Sequence, residues 1–297
     1  MSHYCNLCGQ ALHDRYTLYT HSRYPERPLI VCGRCDRLAP KCRVCHQPMR
    51  ADQSVAGLCA ACAADALRCL ACGAIITGLS YTFSGRGPYC ATCEATRQQC
   101  DVCGAPLDDR AQRLPDGRAL CGACLQTAII DAGRAKALFD EAEGTIGATL
   151  GLRLRIGVRF VLTDRVGLRA QLHKAKPHST HGLDHVLGVY VRDGRTRTIY
   201  IENGLPKILL IQVAAHEWAH AWQMENCPLV RDVLVVEGFA EWVAYKVLQA
   251  RQAVKKMALM TARTDLYGDG LRLMLAREVR DGVPGVLALC SYRYLEA

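Results

Sequence analysis

Two histidines four residues apart, with a glutamate directly after the first, occupy His216-Glu217-Trp218-Ala219-His220. On a helix of 3.6 residues per turn, positions i and i+4 lie one above the other, so both imidazoles reach one metal ion. Glu217 falls just beside that face, able to reach a water at the metal without ligating the metal itself. A catalytic zinc needs a third protein ligand and keeps one position open. Downstream, Val236-Glu237-Gly238-Phe239-Ala240-Glu241-Trp242 offers two carboxylates one helical turn apart, 17 and 21 residues after His220. Glu237 is the favoured ligand, and Glu241 would then accept a hydrogen bond from a ligating imidazole and fix its tautomer. The reverse assignment is the alternative. Zinc held in this way brings the pKa of water toward about 7, and Glu217 then takes a proton and hands it to a leaving amine, which is peptide hydrolysis. Tyr267, in Leu266-Tyr267-Gly268-Asp269-Gly270, is the candidate donor to the oxyanion, since glycines let backbone approach a site closely. Packing of a loop tyrosine at a helix start is its competing role.

These side chains need a helix beneath them, and the flanks predict one. Gly204-Leu205-Pro206-Lys207 ends an extended run, after which Ile208, Leu209, Ile211, Val213, Ala214 and Ala215 supply apolar periodicity without Gly or Pro. Leu125 to Leu150 also reads as helical, and residues 155–162 alternate as a strand. Val186–Arg192 and Arg195–Glu202 flank Asp193-Gly194 as a β-hairpin. A strand beside a metal helix matters because extended peptides bind by adding to a sheet edge. The polar stretch from Arg165 to His185, with His173, His178, His181 and His185, is predicted to be a flap or surface loop.

Sixteen of eighteen cysteines fall in Cys-x-x-Cys pairs: Cys5/Cys8, Cys32/Cys35, Cys42/Cys45, Cys59/Cys62, Cys69/Cys72, Cys90/Cys93, Cys100/Cys103 and Cys121/Cys124. Taken in order they form four units with internal loops of 23, 13, 17 and 17 residues, separated by linkers of six. Uniform linkers and variable loops predict that each unit closes its own tetrahedral zinc site around a hairpin. Such units bury little core, so metal binding supplies most of their folding free energy, on the order of 10 kcal/mol per site. His13, His21 and His46 are redundant as ligands and are predicted to be surface residues. Cys227 and Cys290 stand outside the pairs, and burial is their expected role.

At 297 residues and 50% hydrophobic composition, the chain has room for about two folded regions with real cores. No apolar N-terminal stretch or bilayer-length run is present, so the expectation is a cytoplasmic protein with reduced thiols and no membrane partner. The formal charge of +9 shrinks to about +3 once cysteines are counted as thiolates and five zinc ions are added. With its Arg and Lys scattered and its first half poor in stacking aromatics, the chain gives little support to nucleic acid as a partner.

The paired cysteines resemble LIM domains, with six-residue linkers where LIM domains have two and without the usual histidine of the first finger. The runs Gly204-Leu205-Pro206-Lys207, Ala215-His216-Glu217-Trp218-Ala219-His220-Ala221-Trp222, Val236-Glu237-Gly238 and Tyr267-Gly268-Asp269-Gly270 resemble the catalytic domain of LIM-domain, ubiquitin-activated peptidases that limit organ growth in plants. The resemblance implies a small gluzincin-type zinc peptidase with Glu237 as ligand. That family's second glutamate before the glycine is Val236 here, and no acidic ubiquitin-interacting helix precedes Cys5, so ubiquitin is a partner by resemblance only.

The expected fold is therefore α+β. LIM-like double ribbons would occupy 1–64 and 65–125, a linker helix 126–150, and a gluzincin-like domain 151–297. The expected function is a zinc endopeptidase acting on protein or peptide substrates, with one catalytic and four structural Zn²⁺ and ribbons for protein recruitment or autoregulation. The alternative is a LIM-like scaffold carrying a weakly active metal-binding domain.

Overall fold

The computed structural model describes residues 3–13, 15–175 and 186–291 and shows a mixed α+β chain. Two compact units are present, Met1–Thr82 with Arg86–Arg97, and Phe83–Gly85 with Gln98–Ala297.

The first unit carries three cysteine modules. In each, a turn bearing the first Cys-x-x-Cys pair is followed by the second pair at the start of a six-residue helix: Gly33–Leu38, Ala60–Asp65 and Ala91–Thr96. Cys32, Cys59 and Cys90 cap these helices by accepting the N–H of Cys35, Cys62 and Cys93 through sulfur. The first module's long loop becomes the antiparallel hairpin Tyr16–His21 with Tyr24–Cys32.

In the second unit, the fourth cysteine module leads into helix α1 (Ala132–Leu150). Asp131 caps it by accepting the Arg134 N–H at 2.7 Å, and Ala135, Leu138, Phe139, Ala142, Ile146 and Leu150 form its buried stripe. Strand β1 (Arg159–Thr163) follows, then helix α2 (Arg165–Ala175), then the hairpin of β2 (Gly188–Asp193) and β3 (Thr196–Glu202). The sheet order is β1-β3-β2, with β1 parallel and β2 antiparallel to β3, so among the described residues β2 is an edge strand.

Helix α2 replaces the loop expected from Arg165 onward. Asp164 accepts the Gly167 N–H at 2.8 Å, and Leu168 and Leu172, one turn apart, bury against Val189 and Val191 of β2. His178, His181 and His185 lie outside the described residues.

Helix α3 (Lys207–Asn226) begins directly after Pro206, whose fixed φ suits a helix entrance. It is apolar on more than one side because it crosses the middle of the core. Leu210, Ile211, Ala214, Ala215, Trp218, Ala219 and Ala221 are buried among Phe139 and Ile146 of α1, Ile199 and Ile201 of β3, and helix α4 (Val233–Ala250). Asp232 caps α4 by accepting from Leu234 N. The rings of Trp222, Phe239 and Trp242 pack in series, with centroids 5.3 and 5.7 Å apart. Helices α5 (Val254–Thr261) and α6 (Leu266–Ser291) complete the unit. Among the described residues no helix is long and apolar enough to cross a membrane.

The fourth module is built into this unit. Ala128–Ile129 pairs with Leu205–Pro206 immediately before α3. Arg118, 2% exposed, donates to Asp116 at 2.7 Å, to Glu202 at the end of β3, and to Asn203 O at 2.8 Å. Arg165 at the start of α2 donates to Asp101 at 2.6 Å and to Glu202 at 3.3 Å.

Candidate functional site

Helix α3 carries His216, Glu217 and His220, and α4 supplies Glu237 and Glu241. His216 Nε2 lies 3.0 Å from His220 Nε2, and Glu237 Oε2 lies 3.4 and 3.5 Å from those two nitrogens. Ligands of a tetrahedral zinc at about 2.0–2.1 Å stand roughly 3.3 Å apart, so the three atoms fit one ion. All three residues are mostly buried, as is the surplus of carboxylates around them. Burial alone would raise Glu237 and lower His216. Their mutual hydrogen bonding and charge instead hold Glu237 well below the usual carboxylate range and, with Glu241, push His216 well above an ordinary histidine. A pocket that favours positive charge this strongly suits a divalent cation.

The remaining ring nitrogens are directed into the protein. His220 Nδ1 is 3.0 Å from Gln223 Oε1, and Gln223 Nε2 donates to Val236 O at 3.0 Å. Gln223 thus links α3 to α4 and, by accepting at Nδ1, leaves Nε2 as the free lone pair of His220. His216 Nδ1 stands 3.2 Å from Glu241 Oε1 but off the angle of a hydrogen bond. Arg263 Nη1 reaches within 3.9 Å of Glu241.

Glu217 points the other way, toward the sheet edge, and its Oε2 accepts the Tyr190 N–H of β2 at 2.9 Å. Burial raises its pKa above the ordinary glutamate value against the pull of both histidines. The approach is close because Gly188 has no side chain: a Cβ there would sit 2.6 Å from Val213 Cγ1 and 3.0 Å from Glu217 Cγ. Tyr267, in the first turn of α6, has its ring 6.1 Å from that of His216, with the Arg263 guanidinium 4.6 Å above its centroid. Sequence reasoning missed Gln223 and the Tyr190 amide. Gln223 sits one turn after His220, which was the only available signal.

The cysteines gather by consecutive unit. Cys5, Cys8, Cys32 and Cys35 have sulfurs within 4.8 Å of one another, as do Cys69, Cys72, Cys90 and Cys93, and Cys100, Cys103, Cys121 and Cys124. The first cysteine of each module accepts the backbone N–H of the third: Cys32 N to Cys5 at 3.4 Å, Cys59 N to Cys42 at 3.3 Å, Cys90 N to Cys69 at 3.3 Å and Cys121 N to Cys100 at 3.4 Å. Burial opposes ionisation of Cys5, Cys42 and Cys69, yet such donors outweigh it and bring each thiol down to about 6. Thiols so poised bind zinc as thiolates. In the second module Cys45, Cys59 and Cys62 are joined by His21, whose Nε2 is 3.4 Å from Cys62 Sγ. His21 is thus not the surface residue expected, whereas His13 and His46 are exposed. Cys227 is buried.

No protein-family model matches the chain, and no solved structure matches it. Protein DA1-related 1 of Arabidopsis thaliana is 25% identical over 178 residues, covering 49% of this chain and 32% of that protein. The chain thus spans about a third of the relative it matches. This partial likeness, together with cysteine clusters able to hold zinc, supports kinship with DA1-related, LIM-type proteins.

Proposed function

We propose that the chain is a zinc-dependent peptidase in which His216, His220 and Glu237 hold the catalytic ion and Glu217 is the proton carrier. The observation that carries this reading is the convergence of two imidazole nitrogens and one carboxylate oxygen at 3.0–3.5 Å, beside a buried glutamate on the same helix. Bound there, zinc supplies a Lewis acid that polarises a carbonyl and lowers the pKa of water.

The chain's own residues do the rest. The edge strand β2 offers backbone to an extended peptide, which supports a protein or peptide as the substrate class. Glu217, fixed at one oxygen by the Tyr190 amide, takes a proton from the attacking water and returns it to the departing nitrogen. Its raised pKa suits a group that must both accept and release that proton. The Tyr267 phenol donates to the carbonyl oxygen as negative charge develops there. Glu241, with Oε1 3.2 Å from His216 Nδ1, places negative charge beside that ring, and the cysteine modules hold structural zinc and contact protein partners.

Glu217→Gln tests the chemistry. It should retain five zinc ions per full chain by mass spectrometry and lose cleavage of a peptide library by at least about a thousandfold. Cleavage at the wild-type rate would remove Glu217 from its role. His216→Ala should bring the count from five to four, and an unchanged count would sink the ligand assignment.

A further inference from the structure

The first two cysteine modules meet at a contact that their metal sites do not require. His21 ends a strand of the first module's hairpin, and its Nε2 lies 3.4 Å from Cys62 Sγ in the second module. Arg23, two residues on, pairs with Asp65 at the end of the second module's helix. His21 could replace a cysteine as a ligand or serve a cysteine that is one.

Two observations decide between these roles. Cys42 does in its module what Cys5, Cys69 and Cys100 do in theirs, accepting the N–H of the third cysteine at 3.3 Å. The Cys45 to Cys59 distance of 3.8 Å likewise matches the corresponding 3.9, 3.9 and 3.8 Å. The four-cysteine set is therefore complete without a histidine. In addition, Arg23 N donates to His21 Nδ1 at 3.1 Å, which engages that nitrogen's lone pair. The neutral ring then carries its proton on Nε2, the nitrogen facing Cys62. A protonated ring nitrogen is a donor and has no lone pair for a metal.

We propose that His21 donates its Nε2–H to the Cys62 thiolate, so that the second module's zinc-type site has four cysteines and an outer histidine lent by the first module. The bond draws charge from a partly exposed sulfur, making it a poorer nucleophile and a less easily lost ligand. It also fastens the hairpin of one module to the metal site of the next.

The test uses the full zinc-loaded chain, iodoacetamide, and peptide mass spectrometry to follow each cysteine, with zinc counted in parallel. His21→Phe keeps a ring against Tyr24 but has no donor, whereas His21→Gln keeps an amide N–H at similar reach. In His21→Phe, Cys62 should react about tenfold faster, the scale of a lost outer-shell partner. Cys8, Cys72 and Cys103 should keep their rates, His21→Gln should stay within about threefold of wild type, and no variant should lose zinc. Loss of one zinc in either variant would make His21 a ligand and overturn the proposal. So would an unchanged Cys62 rate in His21→Phe, equal acceleration in both variants, or acceleration shared by all four cysteines of the module.

Discussion

Gly238 and Gly270 face each other where α4 crosses α6: a Cβ on Gly238 would lie 2.6 Å from Gly270 O, and one on Gly270 would lie 2.6 Å from Gly238 Cα. The contact fixes two site residues together, since Glu237 is next to Gly238 and Tyr267 is three residues before Gly270. Backbone cannot yield as a flexible side-chain tip can. Gly238→Ala should therefore destabilise the chain by about 1–3 kcal/mol, the cost of overpacking. It should also weaken zinc at the histidine site. Urea unfolding and zinc content measure the two effects, and a variant of wild-type stability would show that the helices part freely.

Gln223 joins His220 on α3 to the backbone of α4, and both ends of its amide are used. Gln223→Ala should reduce zinc affinity at this site about 10–100-fold with the cysteine sites unaffected. A chelator competition titration reads this directly. Equal affinity would mean that His220 is oriented by its helix alone.

Arg118 is 1% exposed at its side chain and touches Asp116, Glu202 and Asn203. Removing one partner of a buried charge cluster strands the others, so Arg118→Ala should cost about 3–5 kcal/mol in denaturant unfolding. A loss under about 1 kcal/mol would place the fourth module's attachment elsewhere, in the strand pairing of Ala128–Ile129.

Asp116 supplies a pH dependence. Burial would raise its pKa, but the Arg165 and Arg118 N–H groups and the Arg118 charge outweigh it and hold the carboxyl below its usual range. A group depressed in the folded state stabilises above its unfolded pKa, about 3.9, and that contribution is lost as pH falls through the folded value. Wild type should lose urea resistance below about pH 4 more steeply than Asp116→Asn. Parallel curves would remove Asp116 as a source of acid sensitivity.

Legibility in the sequence followed distance along the chain. His216 and His220 were readable because one helical turn sets their relation, and the β2–β3 hairpin was readable because Asp193-Gly194 is a local signal. The cysteine units grouped consecutively for the same reason. Helix α2 was obscured by Gly167 and its polar composition, although Asp164 as a cap and Leu168 with Leu172 carried the information. The bonds from Arg118 to Glu202 and from His21 to Cys62 join residues 84 and 41 positions apart, and no local pattern encodes such a meeting. The competing reading of Tyr267 as a loop tyrosine at a helix start missed that it lies within the first turn of α6, where Gly270 serves the crossing with α4.

The attachment of Arg118 to Glu202 also sets an order of events in time. Closing a loop of this length carries an entropic cost that only a preformed acceptor or donor repays. Arg118 is presented by a hairpin that has little core until its cysteines are metallated. Folding of the second unit would therefore depend on metal reaching the fourth module. Without that metal, Glu202 would keep Arg165 but lose Arg118, leaving the end of β3 held by one guanidinium where the finished chain has two.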